Sequence, residues 1–384
     1  MTAMRILAVA AMAMFTAACD KEKDVAPPAE LVDFDATVGV DRVWSASTKG
    51  GDDVLRLGLR PAVQGERVYV AGHGGDVRAL ELANGRELWR ASLEVPLAGG
   101  PAVGEGVVVV GSSGGDLVAL DAESGAKRWQ VMTGGEVLAA PTISGGLVVV
   151  RTVDGRLRAL RAADGIEAWN YEQPVPRLTL RGNGAPVVDG DMVIAGLDNG
   201  KVISLSLASG ELLWSTTVAP SHGRTEIERL VDIDSPVRVV GDDVFVVGYQ
   251  GRIAMLARET GQLWWGRDLS SHRGFAVDGD TLYVTTADST VVALSRRDGT
   301  PVWSQDAMIR RSLTAPALAE GALVVGDFEG YLHWLDLATG QLLARGKTGG
   351  GRMSNAPVAA GGLLLLETDK GEVQAWRAAP RSAG

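Results

Sequence analysis

The chain has 384 residues, with 47 acidic and 37 basic side chains that give a formal net charge of −10 at pH 7. It contains no Lys/Arg cluster or basic-aromatic stripe, which argues against nucleic acid as a partner. Its four histidines lack the spacing of zinc ligands, and no phosphate-binding loop or nucleophile elbow occurs, so we predict no catalytic, cofactor-binding or metal-binding residues.

The N-terminus has the composition of a secretory signal that ends at the only cysteine. One arginine precedes an apolar stretch too short to span a membrane, and small residues lead to Cys19. The segment resembles a bacterial lipobox, with Thr16 at a position usually held by Leu or Val. We predict a signal peptide over residues 1–18, starting at the first methionine or at Met4, a lipid on Cys19, and a flexible tether over residues 19–40.

The rest of the chain repeats one short phrase: a glycine, a polar residue, three strand-type positions and a large apolar residue. Successive copies begin 40, 40, 45, 51, 38, 41 and 41 residues apart. A period near 40 with strand-like content predicts one supersecondary unit copied around a ring. The eight copies lie at residues 75–80, 115–120, 155–160, 200–205, 251–256, 289–294, 330–335 and 371–376.

Each phrase is accompanied by the same features. A small-Pro-apolar element and an aliphatic run precede it, and a second glycine leads to a tryptophan four residues later; in the last of these glycine–tryptophan pairs Ala344 replaces the tryptophan. Four short strands with glycine-containing turns make a four-stranded antiparallel sheet. We therefore predict an all-β fold, an eight-bladed β-propeller over residues 41–377, with the tryptophans packed between blades.

The two ends of the repeat region indicate how the ring closes. The strand carrying Trp44 has no blade before it, and the eighth blade ends at Trp376 without an outer strand. We expect the N-terminal strand to complete the eighth blade, which would remove two exposed sheet edges. Residues 378–384 are predicted to form a disordered tail.

Two neighbouring connections are longer than the others, apart from the 17 residues from Trp44 to Pro61, a segment that we attribute to the ring closure. From the outer-strand tryptophan to the next proline, the spacing is 17 residues after Trp169 and 22 after Trp214, against 12 or 13 at comparable connections. Both connections are of the same kind, so we expect them to project side by side from one face. Insertions of this kind commonly carry the function of a repeat protein.

The content of these connections favours docking of another protein. In an extended chain Leu178 and Leu180 share one side of the first connection, and Asp232 and Asp234 share one side of the second. Arg181 follows the leucines, and apolar anchors beside charged groups are typical of interfaces. In the alternative interpretation the aspartates accept turn amides or pair with nearby arginines.

These segments resemble the outer-membrane protein assembly factor BamB family. The resemblance runs from Cys19 to Trp376, and residues 178–182 and 224–234 carry its most specific matches. It implies a non-enzymatic periplasmic lipoprotein scaffold with quinoprotein-type tryptophan repeats. The implied partner is the barrel subunit BamA, bound through its POTRA domains, with nascent outer-membrane proteins as further candidates. The family's contact positions fall on Leu178, Leu180, Arg181, Asp232 and Asp234.

The resemblance also implies attachment to the periplasmic face of the outer membrane through Cys19. Asp20 is a departure, since in enteric bacteria an aspartate after the lipidated cysteine retains lipoproteins at the inner membrane. Two other functions fit the repeats. A pyrroloquinoline quinone-dependent dehydrogenase is disfavoured, because one cysteine rules out the vicinal disulfide of that class and no calcium-ligand cluster stands out. The third is another propeller adaptor of the envelope.

Overall fold

The computed structural model describes residues 26–50, 57–174, 176, 184–220, 231–233 and 235–380. Within these ranges the chain forms strands and turns and no helix. The strands make eight separate sheets that follow one another in chain order. Cys19 and part of each long connection lie outside the described residues.

The blades are numbered here in chain order, each with its strands given from the inner to the outer edge. Blade 1 has β3 (Ala62–Gln64), β4 (Arg67–Ala71), β5 (Asp76–Glu81) and β6 (Glu87–Ser92). Blade 2 has β7 (Leu97–Gly104), β8 (Val107–Ser112), β9 (Asp116–Asp121) and β10 (Lys127–Met132). Blade 3 has β11 (Thr142–Ser144), β12 (Leu147–Arg151), β13 (Arg156–Arg161) and β14 (Glu167–Glu172). Blade 4 has β15 (Val187–Asp189), β16 (Met192–Gly196), β17 (Lys201–Ser206) and β18 (Leu212–Thr217).

The second half of the ring follows the same plan. Blade 5 has β19 (Arg238–Val240), β20 (Asp243–Val247), β21 (Arg252–Ala257) and β22 (Leu263–Asp268). Blade 6 has β23 (Phe275–Asp278), β24 (Thr281–Thr285), β25 (Val291–Ser295) and β26 (Pro301–Gln305). Blade 7 has β27 (Ala317–Ala319), β28 (Ala322–Gly326), β29 (Tyr331–Asp336) and β30 (Leu342–Lys347). Blade 8 has β31 (Val358–Ala360), β32 (Leu363–Glu367), β33 (Glu372–Pro380) and β1 (Val38–Ser47), and β2 (Gly58–Leu59) adds to β7 in parallel.

The inner strands surround a central axis. Neighbouring inner strands touch at junctions around the ring, such as β7 with β11 and β27 with β31. The second strand of each blade lies between two other sheets, and β8 is buried along its whole length. This explains why the second run of each repeat is apolar on both faces. The predicted all-β, eight-bladed propeller is confirmed.

The N-terminal strand closes the ring as predicted. β1 pairs antiparallel with β33, from Val38 opposite Pro380 to Ser47 opposite Glu372. The pairing begins three residues before the expected domain boundary at residue 41. It also includes residues 378–380, which the sequence assigned to the tail. Because both ends of the chain share one sheet, neither leaves an open sheet edge at this junction.

Tryptophans hold consecutive blades together. In each of seven junctions, an indole Nε1 donates a hydrogen bond of 2.7–3.1 Å to a backbone carbonyl oxygen of the next blade. A glycine of that next blade covers the ring: Gly125 has a φ of 72°, and a Cβ there would lie 2.5 Å from the Trp89 ring. The tryptophans are Trp44, Trp89, Trp129, Trp169, Trp214, Trp265 and Trp303.

The eighth junction, between blades 7 and 8, is built differently. Ala344 occupies the place of the missing tryptophan and is itself buried. Trp334 and Trp376 fill this junction instead, with ring centroids 6.3 Å apart. The indole Nε1 of Trp376 donates to the side-chain oxygen of Gln374, so this buried donor is also satisfied.

Residues 26–37 form an N-terminal strap along the outside of blade 7. Arg311, which is buried, donates to the carbonyl oxygen of Ala29 at 2.9 Å. Arg345 donates to the carbonyl oxygen of Val32 at 3.0 Å and lies over the ring of Phe34. The described part of the segment that the sequence assigned to a flexible tether is thus bound to the propeller over residues 26–37.

Replacing Trp129 with alanine is expected to lower the free energy of unfolding by about 3–5 kcal/mol, since it empties a buried site and leaves the carbonyl of Ala162 without its donor. Urea unfolding at equilibrium measures this change. Trp264, which is 54% exposed on β22, provides the control, and Trp264→Ala is expected to be close to neutral. Equal effects of the two substitutions would contradict the inter-blade role of Trp129.

Candidate functional site

The two long connections leave the ring on the same face. The first links β14 to β15 and the second links β18 to β19, so each runs from an outer strand to the inner strand of the next blade. In a propeller all such connections lie at one end of the blades, as the sequence analysis expected. We call this end the connection face.

Most of the proposed contact residues lie outside the described residues. This applies to Leu178, Leu180 and Arg181 in the first connection, to Asp234 in the second, and to Cys19 at the N-terminus. The involvement of these residues in partner binding and lipidation stays a prediction. The described segments on either side of them show how the ends of the connections are held.

The end of the second connection is fixed at the junction of blades 4 and 5. The amide of Tyr249 donates to the carbonyl oxygen of Asp232 at 2.8 Å, and the amide of Ile233 donates to the carbonyl oxygen of Leu197 at 3.2 Å. Ile233 packs against Gly196, where a Cβ would lie only 2.3 Å from its side chain. The short segment therefore acts as a brace between two blades.

Asp232 differs from the surface position that its sequence pattern suggested. Its side chain is fully buried, as are those of Val231 and Ile233 on either side. In this structure Asp232 therefore lies beneath the connection face.

The end of the first connection is held by a buried arginine that the sequence analysis missed. Arg151, at the end of β12, forms an ion pair with Asp198 of blade 4, and both side chains are more than nine-tenths buried. A second nitrogen of Arg151 lies 3.5 Å from the carbonyl oxygen of Gly184, where the first connection returns to the described chain. The ion pair ties blade 3 to blade 4 directly below this connection.

A signal for this residue is present in the repeats. Arg151 pairs with Leu157 at the last position of a second strand. The same position holds small or apolar residues in six other blades and a glutamate, Glu367, in blade 8. Those six residues are Ala71, Gly111, Gly196, Val247, Thr285 and Gly326. A charged residue at a position that holds small or apolar residues in six of the eight copies marks a local role.

Glu367 lies at the ring closure, where it lines a small open cleft between blades 8 and 1. Burial raises the pKa of Glu367 to about 8, the hydrogen bond from Thr48 opposes the rise, and the negative charges of Asp76 and Asp369 add to it. The Oε1 atom accepts that bond at 3.1 Å, while Oε2 has no hydrogen-bond partner. The carboxyl group is therefore mostly protonated at neutral pH.

Two kinds of feature are absent from the described residues. No group of three or more His, Cys, Asp or Glu side chains within these ranges is arranged to hold a metal ion. Within the same ranges, no helix has the length and apolar character of a membrane span.

Comparison with known proteins agrees with this architecture. The family model described as outer membrane protein assembly factor BamB matches residues 25–93, 73–305 and 288–380. An outer membrane protein assembly factor BamB from Pseudomonas aeruginosa is 47% identical over 370 residues, covering 96% of this chain and 97% of the relative. The Escherichia coli protein of that name is 35% identical over 364 residues, covering 92% and 93%.

A solved structure gives the same result. The crystal structure of BamB from Moraxella catarrhalis superposes with a TM-score of 0.81 at 28% identity, covering 88% of this chain and all of that one. The fold defines the class, a closed eight-bladed propeller with tryptophan repeats. Within that class, the chain belongs to the outer membrane protein assembly factor BamB family.

Other propellers share the fold alone. The quinohemoprotein alcohol dehydrogenase from Comamonas testosteroni superposes with a TM-score of 0.68 at 14% identity, covering 90% of this chain and 78% of the enzyme. At this identity the likeness carries no argument about cofactor or activity.

Replacing Glu367 with glutamine is expected to change how stability depends on pH. The pKa of Glu367 is about 8 in the folded chain and about 4.3 for an unfolded glutamate, so the folded state keeps a proton that the unfolded state loses. The contribution of Glu367 to the stability of the wild type is therefore fully present below about pH 4.3 and is lost as pH rises through about 8. The glutamine variant lacks this loss, so its advantage grows over the same range.

Urea unfolding at several pH values between 5 and 9 measures this difference. Glu66→Gln removes an exposed carboxylate from the turn before β4 and is expected to follow the wild-type curve. Parallel curves for the wild type and Glu367→Gln would show that Glu367 ionises normally in the folded protein.

Proposed function

We propose that this chain is a non-enzymatic periplasmic scaffold of the outer-membrane β-barrel assembly machine. In this role it docks the POTRA domains of the barrel subunit BamA and aids the folding and insertion of outer-membrane proteins. Membership of the BamB family carries the proposal, since relatives over nearly the whole chain are named outer membrane protein assembly factors.

The connection face supports docking at a defined place. Two long connections arise at consecutive junctions, and buried groups fix an end of each: the Arg151–Asp198 ion pair for the first and the Asp232–Tyr249 bridge for the second. Rigid supports reduce the conformational entropy that a loop loses when it binds. Leu178, Leu180, Arg181 and Asp234 are the proposed contacts, and Asp232 is proposed to position the second connection.

The proposed contact residues differ in what they would contribute to binding. Contact with the partner would remove the apolar surface of the leucine side chains from water, and this burial supplies affinity. The guanidinium of Arg181 offers a planar fork that suits a carboxylate of the partner. The ring itself contributes rigidity, because each blade is bonded to its neighbours on both sides.

The proposed anchor is a lipid on Cys19, inserted in the outer membrane with the propeller in the periplasm. The apolar stretch before Cys19 and the small residues next to it support this proposal. Retention at the inner membrane, which Asp20 would favour under the enteric sorting rule, is the alternative outcome.

Leu178→Asp and Arg181→Glu are each expected to abolish co-purification of the chain with its native barrel subunit. Truncating or reversing an anchor at the centre of an interface costs about 2 kcal/mol or more, which is about thirtyfold in affinity. Co-purification from detergent-solubilised envelopes measures the loss, and thermal unfolding checks that each variant is folded.

Leu213→Asp is the matched control for this experiment. Leu213 is 48% exposed on the outer strand of blade 4, away from the connection face. This variant is expected to retain the barrel subunit. Retention of the subunit by Leu178→Asp and Arg181→Glu as well would place the interface elsewhere on the ring.

Cys19→Ser is expected to prevent lipidation and to move the protein from the membrane fraction to the soluble periplasmic fraction. Labelling with palmitate and fractionation of the envelope measure both effects. In the lipidated wild type, separation of the two membranes on a density gradient is expected to place the protein in the outer membrane. Recovery in the inner membrane, reversed by Asp20→Ser, would show that Asp20 governs sorting.

A further inference from the structure

Two arginines at the centre of the ring have no acidic partner among the residues that the structure describes. Arg60 directly precedes β3 in blade 1, and Arg238 is the first residue of β19 in blade 5. Neither side chain takes part in an ion pair or hydrogen bond with a described residue, although the backbone amide of Arg60 donates to Gly100. The chain as a whole has ten more acidic than basic side chains, so two unneutralised arginines stand out.

Their positions place both at the central channel. Blades 1 and 5 are four places apart in a closed ring of eight, so they face each other across the axis. Both arginines lie where an inner strand begins, which is the end of the channel at the connection face. The inner strands line that channel, and Arg60 and Arg238 are both exposed, so their side chains have room to enter it.

Electrostatics agree with this placement. The pKa of Arg60 is lowered first by burial and then by the positive charge of Arg238, and burial lowers the pKa of Arg238. Water reaches both side chains, yet bulk solvent solvates their charges poorly, as in a narrow passage surrounded by protein. The charge of Arg238 acts on Arg60 although their blades lie on opposite sides of the ring, so the two side chains extend toward each other within the channel.

The repeats show that Arg238 is an unusual residue at its position. It pairs with Phe245, and the corresponding residues of the other blades are small or aliphatic. Those residues are Ala62, Ala102, Thr142, Val187, Ala276, Ala317 and Val358. A cation at this one place introduces a positive charge that inner-strand packing does not require.

We propose that the mouth of the channel binds a small dianionic oxyanion, such as phosphate or sulfate, between Arg60 and Arg238. Each guanidinium presents parallel N–H donors that match two oxygens of such an ion. Two positive charges balance a dianion, and the poorly solvated setting strengthens their attraction to it. The proposal is independent of the docking function, since it involves neither long connection.

The test compares phosphate with chloride at equal ionic strength, using the full-length protein. A ligand that binds only the folded state raises the unfolding temperature by an amount that grows with the ratio of its free concentration to its dissociation constant. Sodium phosphate and sodium sulfate are expected to raise the unfolding temperature of the wild type above its value in sodium chloride. Calorimetric titration with phosphate gives the affinity directly.

Variants locate the site. Arg60→Gln and Arg238→Gln are each expected to weaken phosphate binding at least tenfold and to lose most of the thermal shift. Arg297→Gln makes the same charge change at an exposed turn residue and is expected to retain both. Arg60→Lys and Arg238→Lys keep the charge without the planar fork. We therefore expect them to bind phosphate more weakly than the wild type and more tightly than the glutamine variants.

Two results would overturn the proposal. One is a wild type that phosphate stabilises no more than chloride does, a comparison that needs no variant. The other is an undiminished phosphate effect in Arg60→Gln and Arg238→Gln, which would assign the anion to a different surface. Circular dichroism of each variant confirms that a lost effect does not come from a lost fold.

Discussion

The propeller depends on one contact made repeatedly: an indole that packs beneath a glycine of the next blade and donates its N–H to a carbonyl there. A single blade of a repeat protein cannot bury its apolar faces without its neighbours. The indole gives each sheet a large apolar contact with its neighbour and also satisfies a buried polar group. Glycine is required opposite it because a side chain would enter the ring.

The junction without this contact shows what the contact normally supplies. At Ala344 the missing indole is replaced by a pair of tryptophans from the third strands of blades 7 and 8, and the strap covers the outside. The ring is closed at a different junction, between blade 8 and blade 1, where Trp44 restores the usual arrangement. Blade 8 therefore contacts its two neighbours in different ways: through a tryptophan pair on the side of blade 7 and through the usual indole contact on the side of blade 1.

The repeats predicted the fold, the number of blades and the closing strand because these follow from a period and a strand pattern. The same repeats did not predict the Arg151–Asp198 pair, since the two partners meet only after blades 3 and 4 are packed. The burial of Asp232 was missed for a similar reason: alternation tells which residues share a side, but not which side faces the ring. The strap has no alternating pattern, and its partners lie in blade 7 and in the connection before it, far away in sequence.

If Cys19 carries the proposed lipid, the strap also limits how far the ring can stand from a bilayer. Residues 20–40, if fully extended, would reach about 70 Å from an acylated Cys19, whereas residues 20–25 reach about 20 Å. The strap begins beside Ile309, in the connection between blades 6 and 7. For a protein anchored at Cys19, this rim of the connection face would stay close to the lipid headgroups. The ring could then change its tilt at the membrane surface but could not move far from it.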